Sequence, residues 1–333
     1  MFDDLDPQEF EDTARTVIES CAQAPSAAER GKLLAEAGLL GVIAPEDVGG
    51  LGLSTRFAAP ILRAAGEGCL AYPLIETLLL SKALADTDAE LAARICSGET
   101  VATIAWLGTD AGADLGGAPM GCQAEHVLIF SADGTAVLAP IANAVRAVET
   151  HSFDIDVPEA EIHVSGAFKG VELDLATVEK LRSDARMLRA AFIHGAAANC
   201  LKMASDYAQD REQFGKLLSA NQALRHRLSR DALVLETMRN AIIRAQSVRD
   251  DDVEMARNAA WLCSAQSGPA IAESAIQVFG GMGFTWEVPL HRHLRQMRAQ
   301  ARYGGAALEL DQLGDAIIAG TANPWYAEIA DAA

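Results

Sequence analysis

Apolar residues recur at helical spacing over residues 10–18, 33–40 and 57–66, so the chain from Pro7 to about Ala93 reads as a succession of helices. Between the second and third stretches lies Gly41-Val-Ile-Ala-Pro-Glu-Asp-Val-Gly-Gly-Leu-Gly, whose glycines and Pro45 forbid a continuing helix. From about Val101 to Gly166 the period changes. Short β-like runs alternate with glycines: Val101-Ala-Thr-Ile-Ala-Trp, His126-Val-Leu-Ile-Phe, Ala136-Val-Leu-Ala and Glu161-Ile-His-Val. Asp133-Gly134, between two of these runs, predicts a hairpin turn. From about Leu173 long amphipathic stretches return, at residues 177–209, 220–249, 252–279 and 311–319. The order helical, β, helical predicts a mainly α, α+β protein in three parts. These are an N-terminal helical domain over residues 1–100, a middle β domain over 101–168, and an antiparallel helical bundle over 169–333.

With 333 residues, half of them hydrophobic, the chain can bury a core for several subdomains. Its formal net charge of -19 repels phosphate backbones and anionic lipid, which argues against nucleic acid or a membrane as partner. No uninterrupted apolar stretch approaches the roughly 20 residues of a membrane span. The opening Met1-Phe2-Asp3-Asp4 lacks the basic and apolar regions of a signal peptide, so a cytoplasmic location with reduced thiols is expected. The cysteines at 21, 69, 96, 122, 200 and 263 form no CxxC pair and no zinc spacing. His291 and His293 alternate without further ligands, a pattern that predicts surface residues rather than a metal site. GxGxxG opening a βαβ unit, Walker, HExxH and GxSxG motifs are absent.

Two C-terminal segments are specific. One is Asp210-Arg-Glu-Gln-Phe-Gly-Lys-Leu-Leu followed by Asn221-Gln-Ala-Leu; the other is Gln277-Val-Phe-Gly-Gly-Met-Gly-Phe-Thr followed by Pro289 and Arg295. In that order, and with the turn segment at residues 39–52, they resemble the acyl-CoA dehydrogenase family, whose fold also runs helix, β, helix. The resemblance spans nearly the whole chain and is strongest over residues 184–303. It implies FAD as cofactor, an acyl-CoA substrate, and an oligomer in which one subunit's flavin is completed by its neighbour. The residues that then face the ADP half are Arg211, Gln213, Phe214, Gln222, Gln277, Val278, Gly280 and Gly281. Their chemistry suits the task. Arg211 offers a bidentate guanidinium to the diphosphate. Gln213 and Gln277 offer amides to ribose or adenine, and Phe214 can cover the nucleotide. Gly280 and Gly281 let backbone approach phosphate without an intervening Cβ. Plainer readings stand beside these: Arg211 as a surface ion pair, Gln277 as a satisfied core amide, Gly280-Gly281 as a helix C-cap.

The catalytic part of the pattern departs from the family. The resemblance places a carboxylate base after the tyrosine of a Tyr-Glu-Gly-Thr-like turn; here the segment is Arg302-Tyr-Gly-Gly-Ala, so Gly304 occupies the base position and Ala306 the threonine position. The family's alternative base precedes an arginine on the long helix; that arginine is Arg186, implied to bind substrate, and Ala185 precedes it. Asp184 is the nearest carboxylate, but one residue of helix rotates a side chain by about 100°. Its plain reading is an acid at the helix surface or in its first turn, beside Ser183. The family's flavin-facing loop is replaced by Trp106-Leu-Gly-Thr-Asp-Ala-Gly-Ala-Asp. Leu107 stands for its threonine and Ala113 for its serine, while Gly112 and Asp114 are kept; Trp106 reads as a buried strand aromatic or a remnant flavin contact. The ADP-side residues remain and the ring-side residues are lost. This asymmetry predicts a subunit that lends contacts to the FAD of a catalytically complete partner subunit. By analogy the acyl-CoA is steroid-derived and an electron-transfer flavoprotein is the electron acceptor. Two alternatives stay open: a self-sufficient enzyme using Asp184 as its base, and a non-enzymatic relative that binds acyl-CoA or a protein partner.

Overall fold

The computed structural model describes residues 6–110, 115–213, 215–247 and 253–320. Phe214, Gly112, Ala113 and Asp114 lie outside the described residues, as does the segment Met1-Phe2-Asp3-Asp4. The N-terminal part holds α1 (Pro7–Cys21), α2 (Ala27–Glu36), α3 (Thr55–Glu67), α4 (Leu74–Ala83) and α5 (Ala89–Cys96). Helix α1 starts where Asp6 accepts a hydrogen bond from Gln8 N, and it buries Glu11, Ala14, Ile18 and Cys21, one stripe at helical spacing. Helix α2 starts at Ser26, which accepts from Glu29 N. It ends at Glu36, so Leu39 and Leu40, which the apolar pattern placed in the same helix, are buried in the turn that follows.

The β region comprises β1 (Ala102–Ala105), β2 (Leu115–Pro119), β3 (His126–Phe130), β4 (Ala136–Pro140), β5 (Val145–Glu149), β6 (Glu159–Val164) and β7 (Val171–Leu173). They form two sheets, ordered β1-β3-β4-β7 and β2-β6-β5, and all their pairings are antiparallel except β1 with β3. Strand β3 shows the period-2 logic. Val127 and Ile129 pack into the core between the sheets, while Leu128 and Phe130 face the core shared with the helices. The turn joining β3 to β4 is the expected hairpin: Gly134 adopts φ +91° and Asp133 accepts from the Thr135 hydroxyl at 2.6 Å. Strands β2, β5 and β7 went unread in the sequence. Strand β2 is Leu115-Gly-Gly-Ala-Pro with an irregular register, and β5 is a largely exposed edge.

Helix α6 (Leu175–Asp210) is the axis of the molecule. Its 36 residues span about 54 Å, and it packs against α3 and α4 on one side. On the other it meets α7 (Gln222–Ser247), α8 (Val253–Phe279) and α9 (Leu290–Tyr303). The approach of α3 is set by a reciprocal glycine contact. A Cβ on Gly195 would stand 2.6 Å from the Arg63 carbonyl carbon, and one on Gly66 would stand 2.9 Å from that of Phe192. Only bare backbones can come this close. The last described helix is α10 (Ala306–Ile318), which begins before the amphipathic stretch at 311–319. Helix α9 has no counterpart in the apolar periodicity. Its buried face carries His293 and Gln296 alongside Leu290, Met297 and Tyr303, and polar residues at core positions hide the apolar period.

Candidate functional site

Two sites emerge from the residues singled out by sequence. The first lies where α6 and α8 end. Tyr207 and Phe279 stack with ring centroids 4.1 Å apart and so fasten the two helix ends together. From α6 the chain passes through Arg211 into a two-stranded hairpin, β8 (Glu212–Gln213) and β9 (Lys216–Leu217), and Leu218 N donates to the Arg211 carbonyl at 2.8 Å. From α8 it passes into a 3-10 turn, Gly280–Phe284. Arg211, Gln213, Gln222, Gln277 and Gly281 are all exposed. Gln277 is therefore no core amide. The Arg211 guanidinium has no hydrogen-bond or ion-pair partner among the described residues, so it is no surface ion pair either. Gly280 takes φ +63° directly after Phe279, the position of a helix C-cap, and nothing lies within 4 Å of a Cβ built on Gly280 or Gly281. That open space and the unpartnered guanidinium fit the diphosphate of a nucleotide. Val278 differs from expectation: its side chain is buried in the helical core. Beside this polar group lies an apolar rim that sequence reasoning missed. Phe284 is 79% and Trp286 69% exposed, and Leu217 and Met282 are also exposed.

The second site is a cavity of about 270 Å³ between the end of β1, the middle of α6 and the turn joining α9 to α10. Ala185 and Gly304, the two positions where the resemblance would put the family's base, both line it. Gly304 cannot simply regain a side chain. A Cβ there would lie 2.7 and 2.8 Å from Cη2 and Cε2 of the fully buried Trp261 indole, and closer still to Cζ2. The space is filled by a residue of α8, and no sequence motif marks it.

The cavity wall is a charged and aromatic network. Trp106 Nε1 donates to Glu76 Oε1 at 2.7 Å, and both residues are buried. The Arg189 guanidinium lies 4.2 Å from the Trp106 ring and donates to Gln300 Oε1. Arg189 is wholly buried, and desolvation pulls its pKa down to about 10 even though Glu76 opposes the shift. Burial pushes the Tyr303 phenol well above its ordinary value, and the nearby Glu159 carboxylate pushes the same way. Arg186 donates to Glu309 Oε1 at 2.6 Å and to Glu254 at 3.5 Å, so its charge is spent within the protein. Arg182 lies over the Phe130 ring at 4.0 Å. Trp106 is thus both a buried aromatic and a cavity wall. Arg182, Arg189 and Glu309 were missed, although Arg182, Arg186 and Arg189 share one helical face by spacing.

Asp184 is not the surface acid its sequence context suggested. It is 3% exposed; Oδ2 accepts from Lys82 Nζ and Oδ1 from Arg257 Nη1, each at 2.7 Å. Both oxygens are held by cations of α4 and α8, and Asp184 does not line the cavity. His293 also departs from expectation. It is 2% exposed and strapped to α3 and α6. Its Nδ1 is 3.2 Å from the Gly66 carbonyl and 3.1 Å from Cys69 Sγ, and Asn199 lies 3.2 Å from Nε2. Burial lowers its pKa to about 4 and raises that of Cys69 to about 12, so the pair is neutral and unreactive. No cluster of metal-ligating side chains occurs among the described residues, and no described helix is long and apolar enough to cross a membrane.

Comparison with known proteins agrees with this architecture. The sequence profile of the acyl-CoA dehydrogenase C-terminal domain matches residues 176–313. Acyl-CoA dehydrogenase FadE34 of Mycobacterium tuberculosis is 30% identical over 79% of this chain, which spans only 38% of that relative. Human mitochondrial short-chain specific acyl-CoA dehydrogenase is 35% identical over 38% of the chain, covering 30% of its own length. The fold superposes on one chain of the ChsE4-ChsE5 complex from Mycobacterium tuberculosis with a TM-score of 0.84 at 21% identity, covering 94% of this chain and 97% of that one. It matches the Tcur3481-Tcur3483 steroid ACAD, crystallised as a variant, with a TM-score of 0.84 at 24% identity, covering 95% and 99%. The chain belongs to the acyl-CoA dehydrogenase family, whose members are FAD-binding flavoproteins.

Proposed function

We propose that this chain is the catalytically incomplete subunit of a heteromeric FAD-dependent acyl-CoA dehydrogenase. It lends nucleotide-side contacts to a FAD held mainly by a partner subunit that carries the base. The observation that carries this reading is the cavity in which Ala185 and Gly304 meet: neither family base position bears a carboxylate, and the Trp261 indole fills the space beside Gly304. The nearest carboxylates are committed, Asp184 to Lys82 and Arg257, Glu309 to Arg186. None is poised to take a proton from a thioester α-carbon. The self-sufficient reading with Asp184 as base therefore has no geometric support.

The nucleotide-side residues have the opposite character. Arg211 would meet the diphosphate, Gln213, Gln222 and Gln277 the ribose and adenine, and Gly280-Gly281 would let backbone close on a phosphate. FAD, when bound, supplies the acceptor for the hydride leaving the acyl β-carbon. This chain's residues bind and orient its nucleotide end. The exposed Phe284 and Trp286 beside them are what a subunit contact would cover. The fold shared with the ChsE4-ChsE5 complex and with a steroid ACAD supports a paired assembly and a bulky, steroid-derived acyl-CoA. Reoxidation by an electron-transfer flavoprotein in the cytoplasm completes the proposal. The test is Arg211→Ala in the co-purified pair. FAD is lost while the pair stays assembled if the reading is right; full FAD retention contradicts it and favours a scaffold role.

A further inference from the structure

We propose that the vacated cavity is a receptor for a small carboxylic acid with a flat apolar body, held by Arg189 and Arg182. The family's base would have put a carboxylate on the protein here; this chain instead presents cations with spare donors. Arg189 lines the cavity, is wholly buried, and leaves Nε and Nη2 without a hydrogen-bond acceptor. Glu76, its nearest acid, stands 3.7 Å from Nη2, beyond hydrogen-bond reach, and its Oε1 already accepts from Trp106. A buried guanidinium with unpaired donors is costly, and a ligand oxygen would relieve it. Arg182, about two helical turns away on the same face, also lines the cavity. It has no hydrogen-bond or ion-pair partner among the described residues and rests on the Phe130 ring.

The other charges facing the space are accounted for. Arg186 and Glu309, which also line it, pair with each other, and Glu254 is a second partner of Arg186. A planar carboxylate matches the guanidinium fork. The remaining walls set the body of the ligand: Trp106, Leu107, Tyr303 and Leu308 are aromatic or aliphatic. The volume of about 270 Å³ lies just under the roughly 300–1,000 Å³ of pockets for drug-sized ligands, which favours an aryl or short acyl acid over a nucleotide. The inference does not depend on the shared-flavin reading, because every residue in it belongs to this chain.

The experiment measures binding of sodium benzoate and of benzamide to the purified full chain without added flavin, by calorimetry and ligand-observed NMR at fixed ionic strength. Benzoate is expected to bind at least tenfold more tightly than the isosteric neutral amide. Arg182→Gln should weaken benzoate at least tenfold and leave benzamide unchanged; that side chain makes no hydrogen bond or ion pair among the described residues, so the variant should fold normally. Arg189→Lys, which keeps the charge but loses the fork, should also weaken benzoate. Equal affinity for the two probes, no saturable benzoate binding, or benzoate binding indifferent to Arg182→Gln would each overturn the proposal.

Discussion

Placing a carboxylate at position 304, where the resemblance puts the family's base, by Gly304→Glu should damage the protein without adding turnover. The Cβ of any side chain at 304 would meet the Trp261 indole at 2.7 Å or less, whereas ordinary contact begins near 3.4 Å. The ring must therefore retreat by about 1 Å or more, and it is fully buried, so its neighbours must move as well. Overpacking of this kind costs about 1–3 kcal/mol. One effect runs the other way. Gly304 has φ −81°, an ordinary conformation, so replacing glycine lowers unfolded-chain entropy by about 0.4–1 kcal/mol. The clash wins, leaving a net loss of about 1–2 kcal/mol, or roughly 1–3 °C in Tm for a chain of this size. Circular dichroism melting of the variant reads the first half of the prediction. Acyl-CoA-dependent dye reduction, by the chain alone and with the proposed partner subunit, reads the second and should show no gain. A melting temperature within about 1 °C of the parent, or turnover gained by the isolated variant, would refute the reasoning.

Gly195→Ala should be worse tolerated than Gly304→Ala: its Cβ meets the Arg63 backbone rather than a side chain, so α3 and α6 must part, and a loss of about 3 kcal/mol or more in melting experiments is expected. Asp184→Asn should cost about 3 kcal/mol, because Lys82 and Arg257 lose their shared counter-charge in a mostly buried setting; denaturant unfolding checks this, and a neutral result would return Asp184 to the surface. The pH profile should carry a histidine signature. His293 and His194 both have pKa values depressed to about 4 by burial, so the unfolded chain takes up protons first, and their contribution is present above about pH 6.5 and lost as pH falls towards 4. Asp154, raised to about 6 by burial, opposes them over nearly the same window, since its contribution is lost as pH rises through 6. Comparing parent with a His194→Gln, His293→Gln double variant from pH 8 to 4.5 isolates the histidines: the variant should lose less stability on acidification, and parallel curves would contradict the assignment.

What was legible in the sequence follows from the range of the interactions involved. The helix, β, helix order, the hairpin at Asp133-Gly134 and the long axis of α6 rest on local periodicity and turn chemistry, and these are visible along the chain. That 185 is alanine and 304 glycine was visible for the same reason: it is a statement about residue types in order. Helix α9 escaped because His293 and Gln296 occupy core positions, and β2 because its Gly-Gly pair and bulge break the alternation. Contacts distant in sequence were out of reach. Trp261 beside Gly304, Glu76 beneath Trp106, and Lys82 opposite Asp184 are pairings that no local pattern announces. One signal was available and unread: arginines at 182, 186 and 189 fall on a single helical face next to Ala185, and that face lines the cavity.

Flavin counting tests the central claim most directly. The chain is purified alone and with a family member that carries the Tyr-Glu-Gly-Thr-like turn, and FAD per polypeptide is measured by absorbance after denaturation. The account predicts little FAD on the solitary chain and about one FAD for each pair of subunits in the complex. Stoichiometric FAD on the chain by itself, with acyl-CoA-dependent bleaching of that flavin, would contradict it.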